Sequence, residues 1–519
     1  MGTCLPGSLS RLLSADAQQK TTRRASIPGM GALADHGHAC CAQRQGKARA
    51  PGLYRRRRPA ETVLYQVVQE HLESFLTLSD DPTGPGLPGY VERDFRKYLK
   101  CGILANGFAR ARCKDCGDDY LIGFSCKARG ACPSCNTRRM VEIAAHLVDH
   151  VIPPVPVRQW VLSLPKRLRG FLQRDAALAG TVLRLFLEEV ERELRGHCPE
   201  AGAKARTGAV AFPHRFGTSL NGNFHFHACV IDGVYEAEGE GVRFHEASEL
   251  SEAAIGRVQE RVRRRVLKAF VRWGLLEPET RDEMLEWRHG GGFSLDAAVR
   301  LEANDREGLE RLLRYCARPP LAAGHLQWRD EQHERLVYRL PKPGANGSPE
   351  RVLTGLELLE CLSAFIPPPR IHRHRYYGVL APNARLRPAV TALASQQAAA
   401  DPAAPSSPIR ETLGATSSLS PSEEKPRRPS VYLWAMLLAR IYEVFPLVCP
   451  RCGGDMEIIA FITEAPTVRA ILTHIGEPAE APPISPSRGP PAWEMFDQTA
   501  EFEPLDPEAE LDFDQSVSW

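Results

Sequence analysis

The chain has no apolar run that is long and charge-free enough to cross a bilayer, since its best stretch, Val431 to Val448, is broken by Arg440 and Glu443. It opens without an apolar signal-like segment, and Pro6 breaks the Met-Gly-x-x-x-Ser/Thr pattern of N-terminal acylation. Acidic residues are scarce at the start: up to Arg58 only Asp16 and Asp35 appear, while Arg55 to Arg58 are consecutive. Basic residues are missing from the end, where no Lys or Arg follows Arg488 but Glu494, Asp497, Glu501, Glu503, Asp506, Glu508, Glu510, Asp512 and Asp514 do. These absences argue against a membrane protein and for a cytoplasmic one. The net charge of +3 conceals a basic head and an acidic tail. The head suits a polyanion, and the tail is a solvated or self-masking segment.

What is present can bury real cores: 519 residues, 43% hydrophobic and 25% charged, are enough for about three domains. Residues 1–60 lack periodicity and are expected to be a disordered basic segment. Order begins near Glu61, where Val63, Val67, Val68, His71, Leu72 and Phe75 mark an amphipathic helix. Six of the 15 cysteines lie between Cys101 and Cys135. In an intracellular chain this density reads as metal binding rather than disulfides. Cys113-x-x-Cys116 and Cys132-Pro-Ser-Cys135 have the spacing of two knuckles around one structural Zn²⁺, with Cys101 and Cys126 able to replace a member or to remain buried thiols. Arg129, Arg138 and Arg139 around the second knuckle suit phosphate contacts. A separate pair, Cys449-Pro-Arg-Cys452, supplies two of four ligands and is either half of a zinc site or a plain turn.

Asn223 to Gly233 alternates Phe224, Phe226, Ala228 and Val230 with polar residues and ends at Asp-Gly, the pattern of a half-buried strand. Period two places His225 and His227 on one face, about 6.7 Å apart along the strand, which is half of a metal site. Ala209 to Leu220, carrying His214, Arg215 and Phe216, leads into it and is expected to pair with it antiparallel. Val157 to Leu164 is a further strand. Leu168 to Arg195 and Ile255 to Trp273 are helical, and Gly290 to Gly292 is a turn or a loop that approaches phosphate.

Asn304 to Pro320 reads as a helix opened by a capping box at Asn304 and Glu307 and closed by Pro319 and Pro320. Leu309, Leu312, Leu313 and Cys316 form its apolar stripe, and Tyr315 lies off that stripe with Arg311 and Arg318 on its side. Flanking cations favour a phenolate and hold a phosphate nearby. A divalent ion on a strand and a tyrosine on a basic helix fit one chemistry, in which the ion polarises a phosphodiester and the tyrosine becomes covalently linked to DNA. Arg370 to Arg375 with Tyr376 and Tyr377 mixes cations and aromatics as single-stranded DNA grooves do.

With these residues in view, the chain resembles the rolling-circle insertion-sequence transposases of the HUH class, family ninety-one and its common-region relatives. The resemblance rests on Cys113 through Arg129-Gly130-Ala131-Cys132-Pro133-Ser134-Cys135, on Arg215 to Asn221 running into His225-Phe226-His227, and on Asp232-Gly233-Val234-Tyr235. Arg314-Tyr315-Cys316-Ala317-Arg318-Pro319-Pro320 and Pro367 to Tyr376 complete it. It implies an α+β fold, a ferredoxin-like antiparallel sheet with flanking helices preceded by a small helical zinc-binding domain. It also implies His225 and His227 as ligands of a catalytic Mg²⁺ or Mn²⁺ and Tyr315 as nucleophile. No third protein ligand stands out in the sequence, with His214 and Gln327 as the candidates. Arg311 stands where many relatives carry a second tyrosine, so the match is to the single-tyrosine branch.

The expected partner is DNA, as single-stranded or hairpin element ends, bound through Arg138, Arg139, Arg215, Arg311, Arg318, Arg373 and Arg375 in a nucleoid-associated cytoplasmic protein, with a homodimer as one option. A replication initiator or relaxase, and a zinc-containing DNA-binding protein without catalysis, are the alternatives. The expected boundaries are 61–145 for the zinc-binding domain, 146–345 for the nuclease domain and 346–395 for its basic-aromatic continuation. Beyond these lie a linker at 396–430, a small helix with the lone knuckle at 431–475, and an acidic disordered tail at 476–519.

Overall fold

Thr62 starts the first helix, α1 (Val63–Ser79), by accepting the Tyr65 N–H on its side chain. The stripe of Leu64, Val67, Val68, Leu72 and Phe75 is buried, as the sequence period requires. The computed structural model describes residues 56–80, 86–341, 343, 347–400, 449 and 451–488. The expectations for the segment up to 55, for the linker beyond 400, for 431–448 and for the tail from 489 lie outside these residues.

After α1 come α2 (Gly89–Leu99), the hairpin β1 (Phe108–Cys113) and β2 (Asp119–Gly123), and α3 (Pro133–His150). Helix α3 begins at the second cysteine knuckle, because Pro133 at its first position is already set for helical φ. The central run is β3 (Val157–Ser163), α4 (Lys166–Arg174), α5 (Ala176–Gly196), β4 (Gly208–Phe216), β5 (Gly222–Ile231), β6 (Gly233–Glu238), β7 (Gly241–Glu246), α6 (Glu252–Arg272), α7 (Pro278–Glu286), β8 (Ser294–Asp296) and β9 (Arg300–Leu301). The single helix expected from Leu168 to Arg195 is two helices. Asp175 leaves helical geometry and caps α5 by accepting the Ala177 and Leu178 N–H groups. Then follow α8 (Arg306–Cys316), β10 (Leu326–Trp328), β11 (Leu336–Arg339), β12 (Glu350–Leu353), α9 (Gly355–Phe365), β13 (Arg375–Gly378), α10 (Arg387–Ala400), β14 (Met456–Ile462) and α11 (Ala465–His474).

The main sheet has the order β13-β4-β5-β3-β8, with β9 also on β3, and every pairing is antiparallel. Without β13 the order β8-β3-β5-β4 is fourth, first, third, second of a β-α-β-β-α-β run, the ferredoxin-like arrangement. Strand alternation then sorts the side chains. Trp160, Leu162, Ala211, Phe224, Phe226, Ala228 and Val230 share one core with α4, α5 and α6. Val157, Val210, Phe212, Cys229 and Ile231 share another with α3, α8 and α10. His225 and His227, one residue out of step with Phe224 and Phe226, therefore face the α8 side.

Two local expectations change. Asp305 rather than Asn304 caps α8, accepting the Gly308 N–H, so a single side-chain cap stands in place of the expected Asn304–Glu307 capping box. Gly290, Gly291 and Gly292 have φ of 79°, 62° and 73°, and a Cβ on Gly291 would stand 2.7 Å from Met284 O. They make a tight turn packed against the protein. The boundary expected at 345 falls within a shared core, where Leu321, Leu326, Leu336, Tyr338 and Leu358 pack with Leu64, Val68 and Phe95.

Asp232, at the end of β5, is 2% exposed and holds two arginines: Arg158 through bonds of 3.1 and 2.9 Å and Arg300 at 2.7 Å. Arg158 is itself buried. Asp232→Ala removes the counter-charge and leaves a buried cation, which is expected to cost about 3–5 kcal/mol of unfolding free energy. A denaturant titration of the variant checks this.

Candidate active site and cysteine clusters

Antiparallel pairing of β4 and β5 puts His214 directly opposite His225. His227 is next on that face, and ligand nitrogens of the three lie within 4.8 Å of one another. His225 Nδ1 donates to Asn223 O at 3.1 Å, which directs its Nε2 at His227 Nε2, 3.0 Å away. His227 Nδ1 pairs with the Gln159 side-chain amide at 2.9 Å. His214 Nε2 donates to Cys316 O at 2.7 Å, while its Nδ1 is buried without a hydrogen-bond partner among the described residues. One nitrogen of each ring is thus oriented by the protein, and the second nitrogens of His225 and His227 face one another. Burial holds all three imidazoles below their ordinary pKa, His225 down to about 4, so they are neutral at physiological pH and able to bind a cation.

Helix α8 lies over this face. The Tyr315 ring meets His227 edge-on, with centroids 5.5 Å apart. The Arg318 guanidinium sits 4.9 Å from the Tyr315 ring, and its Nε is buried without a partner among the described residues. Arg311 is turned away and exposed, 3.7 Å from Glu307.

Among the other expected DNA contacts, Arg215, Arg318, Arg373 and Arg375 line one cavity with His214, His374, Phe212 and Phe216, and Arg129 joins them. Arg138, Arg139 and Arg311 are not part of its lining. Arg129, Arg215, Arg373 and Arg375 donate to carbonyl and amide oxygens of Pro368, Gln173, Asn136 and Ala176. Burial, with Arg139 and Arg129 nearby, pulls Arg373 down to about 10, still cationic at neutral pH.

The cysteines do not group as expected. Cys113, Cys116, Cys132 and Cys135 are divided between two clusters: Cys101, Cys126, Cys132 and Cys135 in one, and Cys113, Cys116, Cys449 and Cys452 in the other. In the first, Cys101 approaches Cys132 and Cys135 at 3.5 and 3.8 Å, and Cys126 approaches Cys135 at 3.6 Å. Tetrahedral Zn–S bonds of about 2.3 Å require sulfur pairs about 3.8 Å apart. The Asp94 carboxylate accepts the N–H groups of Arg129, Gly130 and Ala131 and so fixes the loop that presents Cys132. Cys101→Ser or Cys132→Ser is expected to lose this zinc and unfold the N-terminal module, since structural zinc contributes roughly 10–16 kcal/mol of folding free energy. Zinc content and circular dichroism of the purified variants test it.

Sequence reasoning missed Gln159 and ranked His214 low. The available signal was polarity on strands otherwise buried on both faces: Gln159 is 6% exposed and His214 4%. Gln327 is on β10, in a different sheet and exposed.

Fold and site define an α+β protein in which a cysteine-clustered N-terminal module precedes a ferredoxin-like sheet carrying a histidine cluster. The family model "Transposase zinc-binding domain" (Zn_Tnp_IS91) matches residues 67–164, and the model described as "Putative transposase" (Y2_Tnp) matches residues 208–387. The chain belongs to the IS91-type transposases, zinc-binding proteins that act on DNA. No curated protein and no solved structure matches it. Among the described residues, no helix is long and apolar enough to cross a membrane.

Proposed function

We propose that this transposase nicks one DNA strand at its element's ends through a 5′-phosphotyrosine on Tyr315 and transfers it by a rolling-circle-like mechanism. The observation that carries the reading is the convergence of three neutral imidazoles beside the Tyr315 ring. The buried, unpartnered Nδ1 of His214 and the facing Nε2 atoms of His225 and His227 fit a divalent cation, Mn²⁺ at least as well as Mg²⁺. When bound, such an ion polarises the phosphodiester and neutralises developing charge.

The chain's own groups do the rest. Tyr315 Oη forms the bond to phosphorus, the bond to the 3′ oxygen breaks, and the 3′-hydroxyl leaves with the proton that the phenol gives up. Arg318 holds the ring from one side and offers its unpartnered Nε to a phosphate oxygen. Gln159 fixes the His227 ring, and Cys316 O fixes that of His214. The cavity lined by Arg129, Arg215, Arg318, Arg373 and Arg375 offers single-stranded DNA positive charge. Labelled single-stranded element ends incubated with the protein and Mn²⁺ or Mg²⁺ are expected to give a covalent protein–DNA band. Cleavage with no covalent species would overturn the reading.

A further inference from the structure

The second cysteine cluster joins residues more than three hundred positions apart. Cys113 Sγ lies 3.4 Å from Cys452 Sγ and Cys116 Sγ 3.6 Å from Cys449 Sγ, and all four sulfurs are within 4.8 Å of one another. Cys449 and Cys452 fall outside both family matches, which end at residues 164 and 387.

The two halves repeat one backbone pattern. The Cys113 N–H donates to Asp118 O, and the Cys449 N–H to Gly454 O. The Gly117 N–H donates to Cys113 O, and the Gly453 N–H to Cys449 O. Each turn is closed by a glycine at positive φ, 72° for Gly117 and 79° for Gly453. The N–H of Asp118 is directed at Cys116, and that of Gly454 at Cys452. Two Cys-x-x-Cys-Gly turns with equivalent hydrogen bonds, facing one another sulfur to sulfur, bring together the four cysteines that a structural zinc site requires. Pairs 3.4 and 3.6 Å apart are too long for a disulfide, whose bond is about 2.05 Å, and near the separation that one zinc imposes.

We propose that Cys113, Cys116, Cys449 and Cys452 bind a second structural zinc, which clasps the C-terminal segment onto the N-terminal module. What the clasp holds is visible in the fold. Immediately after the knuckle, β14 pairs with β1 from Cys113↔Met456 to Phe108↔Ile462, turning a two-stranded hairpin into a three-stranded sheet. Val468 and Leu472 of α11 then bury Leu104 and Phe108. The chain continues back along α1, where Ser485 N–H donates to Gln69 O and Arg488 N–H to Ser74 Oγ. A two-stranded hairpin alone is marginally stable in water, so the module's sheet depends on a strand that arrives only after the rest of the chain.

The test uses the full-length protein. Native mass spectrometry is expected to count two zinc ions per chain in the wild type and one in the Cys449→Ser, Cys452→Ser double variant. Hydrogen exchange in that variant is expected to quicken at β1 and β14 while the main sheet keeps its protection. Because a variant can fail to fold, a second measurement uses the wild type. Cys116 and Cys452 are exposed, so zinc-loaded protein should resist iodoacetamide at both until a chelator is added. One zinc in the wild type, two in the double variant, prompt alkylation of Cys116 and Cys452 in zinc-replete protein, or a Cys113–Cys452 disulfide would each overturn the proposal.

Discussion

Tyr315→Phe should yield no covalent protein–DNA adduct, a loss on the order of 10⁴- to 10⁶-fold, as expected when the sole nucleophile is removed. Phenylalanine keeps the edge contact with His227 and the stacking under Arg318, so the variant tests the attacking oxygen rather than packing. Three other tyrosines are near enough in sequence to be suspected. Tyr376 and Tyr377 are on β13, opposite Val210 and Ala209 of β4, and Tyr338 is on β11, only 3% exposed. Their Phe variants should still form adduct. If Tyr315→Phe keeps the covalent band and one of these loses it, the nucleophile is misassigned. On the proposed mechanism, with Arg311 in the place of a second tyrosine, one site would hold one covalent strand at a time, and either a 3′-hydroxyl attacks the phosphotyrosine to release it or a second subunit supplies another Tyr315. Mixing Tyr315→Phe with a His225→Ala, His227→Ala variant discriminates further: restored cleavage means a site shared between subunits, and no restoration means one subunit reusing its tyrosine.

His225→Ala, His227→Ala and His214→Ala should each abolish cleavage while leaving DNA affinity at fixed salt largely unchanged. Lewis-acid stabilisation of the transition state is worth several kcal/mol, so a loss of about 10³-fold or more is expected, without a matching loss of docking. His214 belongs in this set because one of its ring nitrogens lies within 4.8 Å of those of the other two, and its Nδ1 is buried without a hydrogen-bond partner among the described residues. Gln159→Ala should cost less, about 10- to 100-fold, since Gln159 orients His227 without facing the shared space. Cleavage assays beside fluorescence anisotropy with single-stranded DNA separate the two effects. Equal loss of binding and cleavage, or activity that persists in EDTA, would sink the metal assignment.

Several pieces of this architecture depend on contacts between near neighbours in the chain, and those were legible. Period two put His225 and His227 on one strand face, and helical period put Tyr315 off the apolar stripe of its helix, because both patterns are set by backbone geometry over a few residues. Of the two arginines expected on its side, Arg318, past the end of α8, meets its ring, while Arg311 is exposed beside Glu307. Each Cys-x-x-Cys turn was readable for the same reason. The helix break at Asp175 was harder, since the apolar pattern continues through it and only the capping bonds reveal the stop.

The strand histidines, the tyrosine helix, the knuckles and the family resemblance could all be read along the chain. The tertiary structure alone decided which knuckle faces which, and it chose Cys449 and Cys452 for Cys113 and Cys116 over the nearer Cys132 and Cys135. It also made His214 the third member of the histidine cluster, through a cross-strand register in which a one-residue slip would turn it to the opposite face. Spacing along a chain constrains what can happen within a turn or a strand. Pairing between distant segments is set by the total burial of two cores and the register of a sheet, to which no single stretch of sequence has access.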